Sequence, residues 1–486
     1  MRKRNKYDID FVSTTTKLPW ADKIAVSLNS GFAFNLGWVI FAYYLMFFYT
    51  DVVGISPAVA GTIMLVARLL DVVTDPLIGY LIDNVCLKWG RYRSWMFIGV
   101  IPLAICMVAI FTCINGMTMG AKIAWAGIAY SLYGAVGATA TYSPFTGMVM
   151  NMTKNPQERA LISSIQGMFN GLANVAAATA FISLVRVFNH GNEGAAGGYT
   201  FAAVITAAVI AGCAIWVIVI SKKYEFNEDG AMRPHILEST HDPLLSQLKN
   251  LFTNRLVICL ILGQIIFQIM LAIRNGIMVY FFQYYWNLEG FYVKAVLFNT
   301  IAIAVGAILL KPLIKLFGDA NRAYKFVIAV NVILFGLMYV IVKMMGADGS
   351  ADSIQYGLLF VVFLLNGLAL GSYTSFGTIL CLNAVDHSGY LAGKPQAGLI
   401  HASFGLSITL GSALGGFFFG HILNGAGYVA NQAQSAGTLS ALLLVMFIIP
   451  AALSLAHFII QLFWNVDDKQ IAEELQEMKD RGQELE

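Results

Sequence analysis

Charge is what this sequence has least of. Of 486 residues only 12% are Asp, Glu, Lys or Arg, against 58% hydrophobic, a balance that a soluble chain of this length does not sustain. The six cysteines (Cys86, Cys106, Cys113, Cys213, Cys259 and Cys381) and the seven histidines show no metal-ligand spacing, and the cysteines form no disulfide framework. A membrane-embedded enzyme would need a convergent nucleophile, base or metal set, and isolated histidines such as His387 and His401 do not supply one. The net charge of +3 is a matter of topology rather than a nucleic-acid footprint, so no nucleic-acid partner is expected.

What is present in quantity is apolar sequence in long runs. Stretches of about 20 or more residues, each enough to cross a bilayer as a helix, fall near 24–50, 57–82, 94–114, 121–150, 161–188, 199–221, 256–286, 292–317, 324–345, 354–382, 396–424 and 436–464. They are continuous rather than alternating with period two, which argues against a barrel. The first is too long for a signal-peptide core and lacks a cleavage site, so it is expected to remain in the mature chain. The expectation is therefore an all-α membrane protein of twelve transmembrane helices. Lys and Arg collect in alternate connections, at Arg2, Lys3, Arg4 and Lys6, at Lys88, Arg91 and Arg93, at Lys154 and Arg159, and at Lys222, Lys223, Arg233, Lys249 and Arg255, whereas Asp51 to Ser56 and Asn189 to Gly198 carry none. By the positive-inside rule both termini are cytoplasmic and the chain is a multi-pass protein of the cytoplasmic membrane.

The longest polar interruption lies between the sixth and seventh runs. It divides the chain into a cytoplasmic segment 1–22, a six-helix bundle 23–221, a linker 222–254, a second six-helix bundle 255–464 and a tail 465–486, the last read as a solvated charged helix. Pro76-Leu77-Ile78 in the second run recurs as Pro312-Leu313-Ile314 in the eighth, a faint echo of two six-helix halves.

Within the second run, Arg68-Leu-Leu-Asp71-Val-Val-Thr-Asp75-Pro76 places Arg68, Asp71 and Asp75 at i, i+3 and i+7 on one helix face. Charges at membrane depth cost at least about 2.5 kcal/mol unless they line a hydrated cavity or find partners. Two carboxylates with one Arg point to an ion or substrate pathway; a salt bridge that only locks packing is the alternative, and it leaves one Asp over.

The segments "YTDVVGIS", "ARLLDVVTDPLIGYLID", "KWGRYRSW", "KNPQERALIS" and "GYVANQAQS", in this order from about Lys23 to about Asn465, together resemble the glycoside-pentoside-hexuronide:cation symporters, the group of the melibiose and glucuronide permeases. The resemblance implies a major-facilitator fold, alternating access around a central site, and uptake of a glycoside or sugar acid driven by Na⁺, Li⁺ or H⁺, with no other cofactor. It places the family's cation-binding carboxylates on Asp71 and Asp75, with Thr74 as a neutral ligand; hard cations take oxygen donors of this kind. Elsewhere the pattern departs. The melibiose permease's helix-1 and helix-4 sugar-binding Asp residues fall on Asn35 and Tyr142, its helix-4 Trp on Thr146 and its helix-11 Lys on Thr409, and "YGEY" reads "HSGY" from His387 to Tyr390.

Amide, hydroxyl and aromatic groups still suit a sugar, and Asn35, Trp38, Tyr142, Thr146, Gln268, Tyr373, Ser375 and Thr409 are candidate substrate contacts, each also readable as interhelical packing. Asn35 and Tyr142 are expected to face a central cavity from helices 1 and 4. Arg274, mid-run in helix 7, is expected to be cavity-exposed in place of the missing helix-11 cation, pairing with Asp71 or Asp75 or reading an anionic substrate; a snorkelling or capping role is the alternative. Gly405, Gly411, Ser412, Gly415 and Gly416 in the eleventh run are expected to permit close helix packing. A monomer in the lipid bilayer with a small-molecule substrate is the expected setting, and a lysolipid carrier or a transport-inactive sensor remains open.

Overall fold

A computed structural model describes residues 17–85, 87–114, 116–153, 155–190, 195–226, 254–286, 289–345, 353–392 and 397–480. Among these residues the regular secondary structure is helical, with an isolated bridge between Leu87 and Gly90. Eleven helices are long and apolar enough to span a membrane, and a twelfth span is a bent pair. They are α1 (Trp20–Leu45), α2 (Pro57–Ile82), α3 (Arg91–Ile110), α4 (Met119–Val149), α5 (Gln157–Phe188), α6 (Ala196–Ile220), α7 (Arg255–Tyr285), α8 (Lys294–Ile308 and Leu310–Phe317, bent by 48°), α9 (Ala320–Met345), α10 (Gln355–Leu391), α11 (Ile400–Gly425) and α12 (Ala436–Leu462). The expected all-α membrane protein with twelve spans is what is found, as is the outward face of Leu, Ile, Val and Phe that lipid requires.

The chain divides into two compact units, Met1–Ser239 and Thr240–Glu486. In the first, α1 lies on α5, α2 on α4 and α3 on α6; in the second, α7 lies on α11, α8 on α10 and α9 on α12. Each pairing recurs six helices later, a far stronger sign of duplication than the tripeptide echo. Glycines set several of these approaches. A methyl group at Gly411 would come within 2.6 Å of Gln268 Cβ, and one at Gly415 within 2.6 Å of Ala272 Cβ, so α7 and α11 meet as the small-residue run implied; Gly405, by contrast, has open space around it.

The ends bearing the basic turns are tied by polar contacts. In the first unit Lys23 pairs with Glu158 at 2.7 Å, Asp22 holds Lys223 and accepts from the Tyr224 hydroxyl, and Glu225 Oε1 caps the start of α3 by accepting from the backbone N–H of Tyr92 (2.8 Å) and Arg93 (3.3 Å). Gly90, at φ 109°, leaves room for that carboxylate; a side chain there would overlap it. Burial pushes the Glu225 carboxyl up to about 7, against the hydrogen bonds and the arginines that favour its charge.

In the second unit the tail is a helix exposed on one face and docked on the other. Asp468–Asp480, here α13, buries Ile471, Glu474 and Met478 against α10. His387 Nδ1 meets Glu474 at 2.8 Å and the Tyr390 hydroxyl donates to Glu477 at 2.9 Å, so two of the three polar residues of "HSGY" serve docking of the tail, while Ser388 Oγ accepts from Asn254 Nδ2 at 2.6 Å. Asp468 and Asp319 exchange caps, Asp468 Oδ2 accepting from Ala320 N at 2.7 Å and Asp319 Oδ1 from Asp468 N at 2.9 Å. The amphipathic spacing of Ile471, Glu474 and Met478 was present in the sequence; only the partner face on α10 was not.

Candidate functional site

The charged stretch of α2 gathers the chemistry of the first unit. Arg68, Asp71 and Asp75 lie on the side of α2 that meets α4, and they do not form one symmetrical cluster. Arg68 Nη1 donates to Asp71 Oδ2 at 2.8 Å, and both side chains are largely buried. Asp71 Oδ1 is buried without a hydrogen-bond partner among the described residues. Asp75 is exposed, and its Oδ1 accepts from Thr139 Oγ1 at 2.6 Å. Thr74 is half-buried and turns its hydroxyl back to its own helix, donating to Leu70 O at 3.1 Å, as Thr does within a helix.

A local widening of α4 makes this possible. From Tyr133 to Ala138 the helix takes one π-helical turn, one of several such segments in the described chain. The turn carries Gly134 directly against Asp71, where a methyl group would overlap the carboxylate. Thr139 follows, sharing its hydroxyl between Asp75 and the Gly134 carbonyl at 2.9 Å. Thr139 and Gly134 were not singled out from the sequence. The signal was the run "YGAVGATATY" in a membrane helix, but the π turn that brings Gly134 and Thr139 against α2 is not encoded by spacing at 3.6 residues per turn.

Arg68 is held from its other side by rings. Its Cζ sits 4.4 Å from the centroid of Trp38 and 5.2 Å from that of Tyr130, contacts that favour a partly desolvated guanidinium. Trp38 continues into an aromatic wall, offset-stacked on Phe34 at 6.4 Å, with Phe34 edge-to-face on Tyr142 at 4.8 Å. Phe34 is exposed; Asn35, Trp38 and Tyr142 are half-buried. Asn35 Nδ2 donates to Gly31 O at 3.0 Å within its own helix, leaving its carbonyl oxygen and its second N–H for other partners. The Tyr142 hydroxyl is enclosed, with no partner among the described residues, so this residue presents a ring flank and not a donor. Thr146 lies on α4, and its side chain is outside the described residues.

The second-unit candidates fare differently. Arg274 is 1% exposed, and its Nη2 donates to Asn299 Oδ1 at 2.8 Å and Asn366 Oδ1 at 3.4 Å, both within its own unit. Asn366 Nδ2 donates on to Asn331 at 3.0 Å, so the guanidinium is solvated by a chain of amides from α8, α10 and α9. The expected cavity exposure is thereby corrected: at membrane depth, neutral amides on neighbouring helices stabilise the charge as water would. Tyr373 is also corrected. It is 1% exposed, its hydroxyl bonded to His457 Nδ1 and its ring stacked on Phe267 at 4.2 Å, which makes it a core residue. Gln268 is half-buried where α7 meets α11, Ser375 donates to Gly371 O at 3.1 Å, and Thr409 is half-buried on α11. None of these three is drawn into a cluster with charged groups by the contacts that hold it.

The arrangement in the first unit offers carboxylate and hydroxyl oxygens to a small hard cation, with a polar and aromatic wall beside them. Residues 29–468 match the model of a family described as MFS/sugar transport protein. The chain is 30% identical over 454 residues to the isoprimeverose transporter of Lactiplantibacillus pentosus, covering 93% of this chain and 89% of the relative. It is 26% identical to the glucuronide carrier protein homolog of Escherichia coli (strain K12), covering 96% of each. Among solved structures, a bacterial homologue of the iron transporter ferroportin in its inward-facing state has the same fold, with a TM-score of 0.61, 11% identity, and coverage of 92% of this chain and 99% of that one.

Proposed function

Because this chain belongs to the MFS/sugar transport protein family, and is a sugar transporter and not an enzyme, we propose that it takes up a glycoside by alternating access in symport with one monovalent cation bound at Asp71 and Asp75. The observation that carries the reading is the asymmetry of the two carboxylates. Two Asp and one Arg leave one negative charge on this face of α2, and Asp71 Oδ1 lies buried with no partner among the described residues, beside an exposed Asp75. A carboxylate oxygen in that state is costly unless something positive comes to it. Na⁺ or Li⁺ would find oxygen donors from Asp71, Asp75 and Thr139; a proton on one carboxyl is the second way to cancel the charge.

The sugar would lie along Phe34, Trp38 and Tyr142 with the Asn35 carbonyl as a polar contact, since a pyranose offers a C–H face to aromatic rings and hydroxyls to amides. An uncharged glycoside fits best: Arg274, the group nominated to read an acid, is enclosed by amides, and Arg68 is committed to Asp71. The Lys- and Arg-bearing ends of the helices are assigned to the cytoplasm, with both termini there, and the functional unit is taken as a monomer in the cytoplasmic membrane. The test is uptake into proteoliposomes of isoprimeverose and a methyl glucuronide, each under an inward gradient of Na⁺, Li⁺ or protons. Accumulation of isoprimeverose that needs Na⁺ or Li⁺ supports the reading; accumulation that follows pH and ignores both metals selects proton coupling; absence of uptake of any solute under every gradient rejects it in favour of a sensor.

A further inference from the structure

The Arg68–Asp71 ion pair stands between the cation position and the aromatic wall, and each ligand has a use for one half of it. We propose that this pair is the coupling element: the cation takes Asp71 from Arg68, and the released guanidinium donates to a sugar oxygen at the edge of Trp38. The inference rests on the reading of Asp71 and Asp75 as the cation site.

Three features carry it. Asp71 has one oxygen on Arg68 and the other buried without a partner among the described residues, so a cation arriving at the free oxygen draws on the same carboxylate charge that holds Arg68. Arg68 does not depend on Asp71 alone for its place, because Trp38 at 4.4 Å and Tyr130 at 5.2 Å flank its guanidinium and keep it at the wall when the ion pair parts. The planar guanidinium has five N–H donors; one is spent on Asp71 and the Tyr130 hydroxyl is a partner for another, which leaves donors for a sugar hydroxyl at the rim of the ring it covers.

Positive coupling then follows without any wider movement. The ion pair is parted once, by whichever ligand binds first, and the second ligand is spared that cost. By reciprocity the sugar must raise cation affinity by the factor with which the cation raises sugar affinity. Trp38 and Arg68 are positioning residues here for opposite ends of one exchange, and neither role is available to a pair that only locks packing.

The test is isothermal titration of Na⁺ into the full chain in detergent, with and without isoprimeverose, for wild type, Arg68→Gln and Arg68→Lys. Wild type should bind Na⁺ about fivefold or more tightly once the sugar is present, the lower end of usual site-to-site coupling. Arg68→Gln, with no ion pair to part, should bind Na⁺ several-fold tighter than wild type without sugar and gain nothing from it. Arg68→Lys keeps the charge on Asp71 but not the planar donor on Trp38, so its Na⁺ affinity should stay near wild type while the gain from sugar shrinks. Weaker or unchanged Na⁺ binding by Arg68→Gln with the sugar gain intact overturns the proposal, and should that variant not fold, a full sugar gain in Arg68→Lys does the same. Wild-type protein that binds neither Na⁺, Li⁺ nor a proton brings down the cation-site reading and this inference with it; wild type that binds Na⁺, with no tightening in Arg68→Gln, brings down this inference alone.

Discussion

Helices α2 and α8 occupy equivalent places in the two units, each lying on the fourth helix of its bundle, and they have been put to different uses. Aligning Pro76-Leu77-Ile78 with Pro312-Leu313-Ile314 sets Arg68, Asp71 and Asp75 against Ala304, Ala307 and Lys311. Helix α2 carries Pro76 inside an unbroken run from Pro57 to Asn84, while α8 bends by 48° just before its proline. The scaffold is duplicated and the chemistry is not. The second unit does contain a buried charge, Arg274, but it is solvated by Asn299 and Asn366 and enclosed, whereas the first unit keeps an exposed Asp75 and a carboxylate oxygen of Asp71 with no partner among the described residues. A charge at membrane depth is thus not by itself a site; Arg274 is 1% exposed while Asp75 stays open, and that exposure is the better sign.

The comparison breaks most sharply at Asp75. Asp75→Asn should abolish gradient-driven accumulation in proteoliposomes while the folded protein still exchanges sugar, because the amide keeps the size and loses the charge; accumulation at the wild-type level would remove α2 from coupling. On the other side, Arg274→Met should lower thermal stability in detergent, at about 1–3 kcal/mol for each buried amide oxygen left without a donor, with little change in the sugar and cation affinities of the folded fraction. A large loss of affinity with unchanged melting would make Arg274 a ligand-binding residue after all.

Finer probes act on α4. Gly134→Ala should push on the Asp71 carboxylate and weaken cation binding, with an overpacking cost of about 1–3 kcal/mol, whereas Gly411→Ala in the second unit should cost stability alone. Titrating the cation into both variants separates the two. Thr139→Val removes the hydroxyl oxygen that Thr139 would offer the cation beside Asp75, so cation affinity should fall with the sugar site intact.

The smallest effect lies outside the membrane. The Glu225 carboxyl, raised by burial to about 7 from an ordinary 4.5, holds a proton in the folded chain that the unfolded chain has lost between those values. Stability should therefore fall as pH rises through that window and level off above it, and Glu225→Gln should flatten the slope in melting curves taken from pH 4.5 to 8.

Much of this molecule was legible in its sequence. The spans followed from apolar runs about as long as a bilayer is thick, and the α2 stretch stood out because Arg68, Asp71 and Asp75 share a face in a segment where charge is expensive. Other residues were misjudged for one physical reason. Arg274 and Tyr373 have the composition of site residues, but Asn299, Asn366 and His457, 25 to 92 positions away in sequence, bond to them, and Arg274 and Tyr373 are each only 1% exposed. The tail reads as solvated throughout because its charges are visible in the sequence and the face of α10 that receives it is not.

Composition and periodicity by themselves determined the medium, the twelve spans and the helix face that carries two carboxylates and a guanidinium, because these depend on the transfer of single residues and single helices from water to lipid. Only the tertiary structure decided which carboxylate oxygen stays open, that Thr139 serves Asp75, that Gly134 makes room for Asp71 and that Trp38 lies under Arg68. Those are relations between α1, α2 and α4 set by a π turn and by the absence of one methyl group, and no local pattern along any one helix contains them.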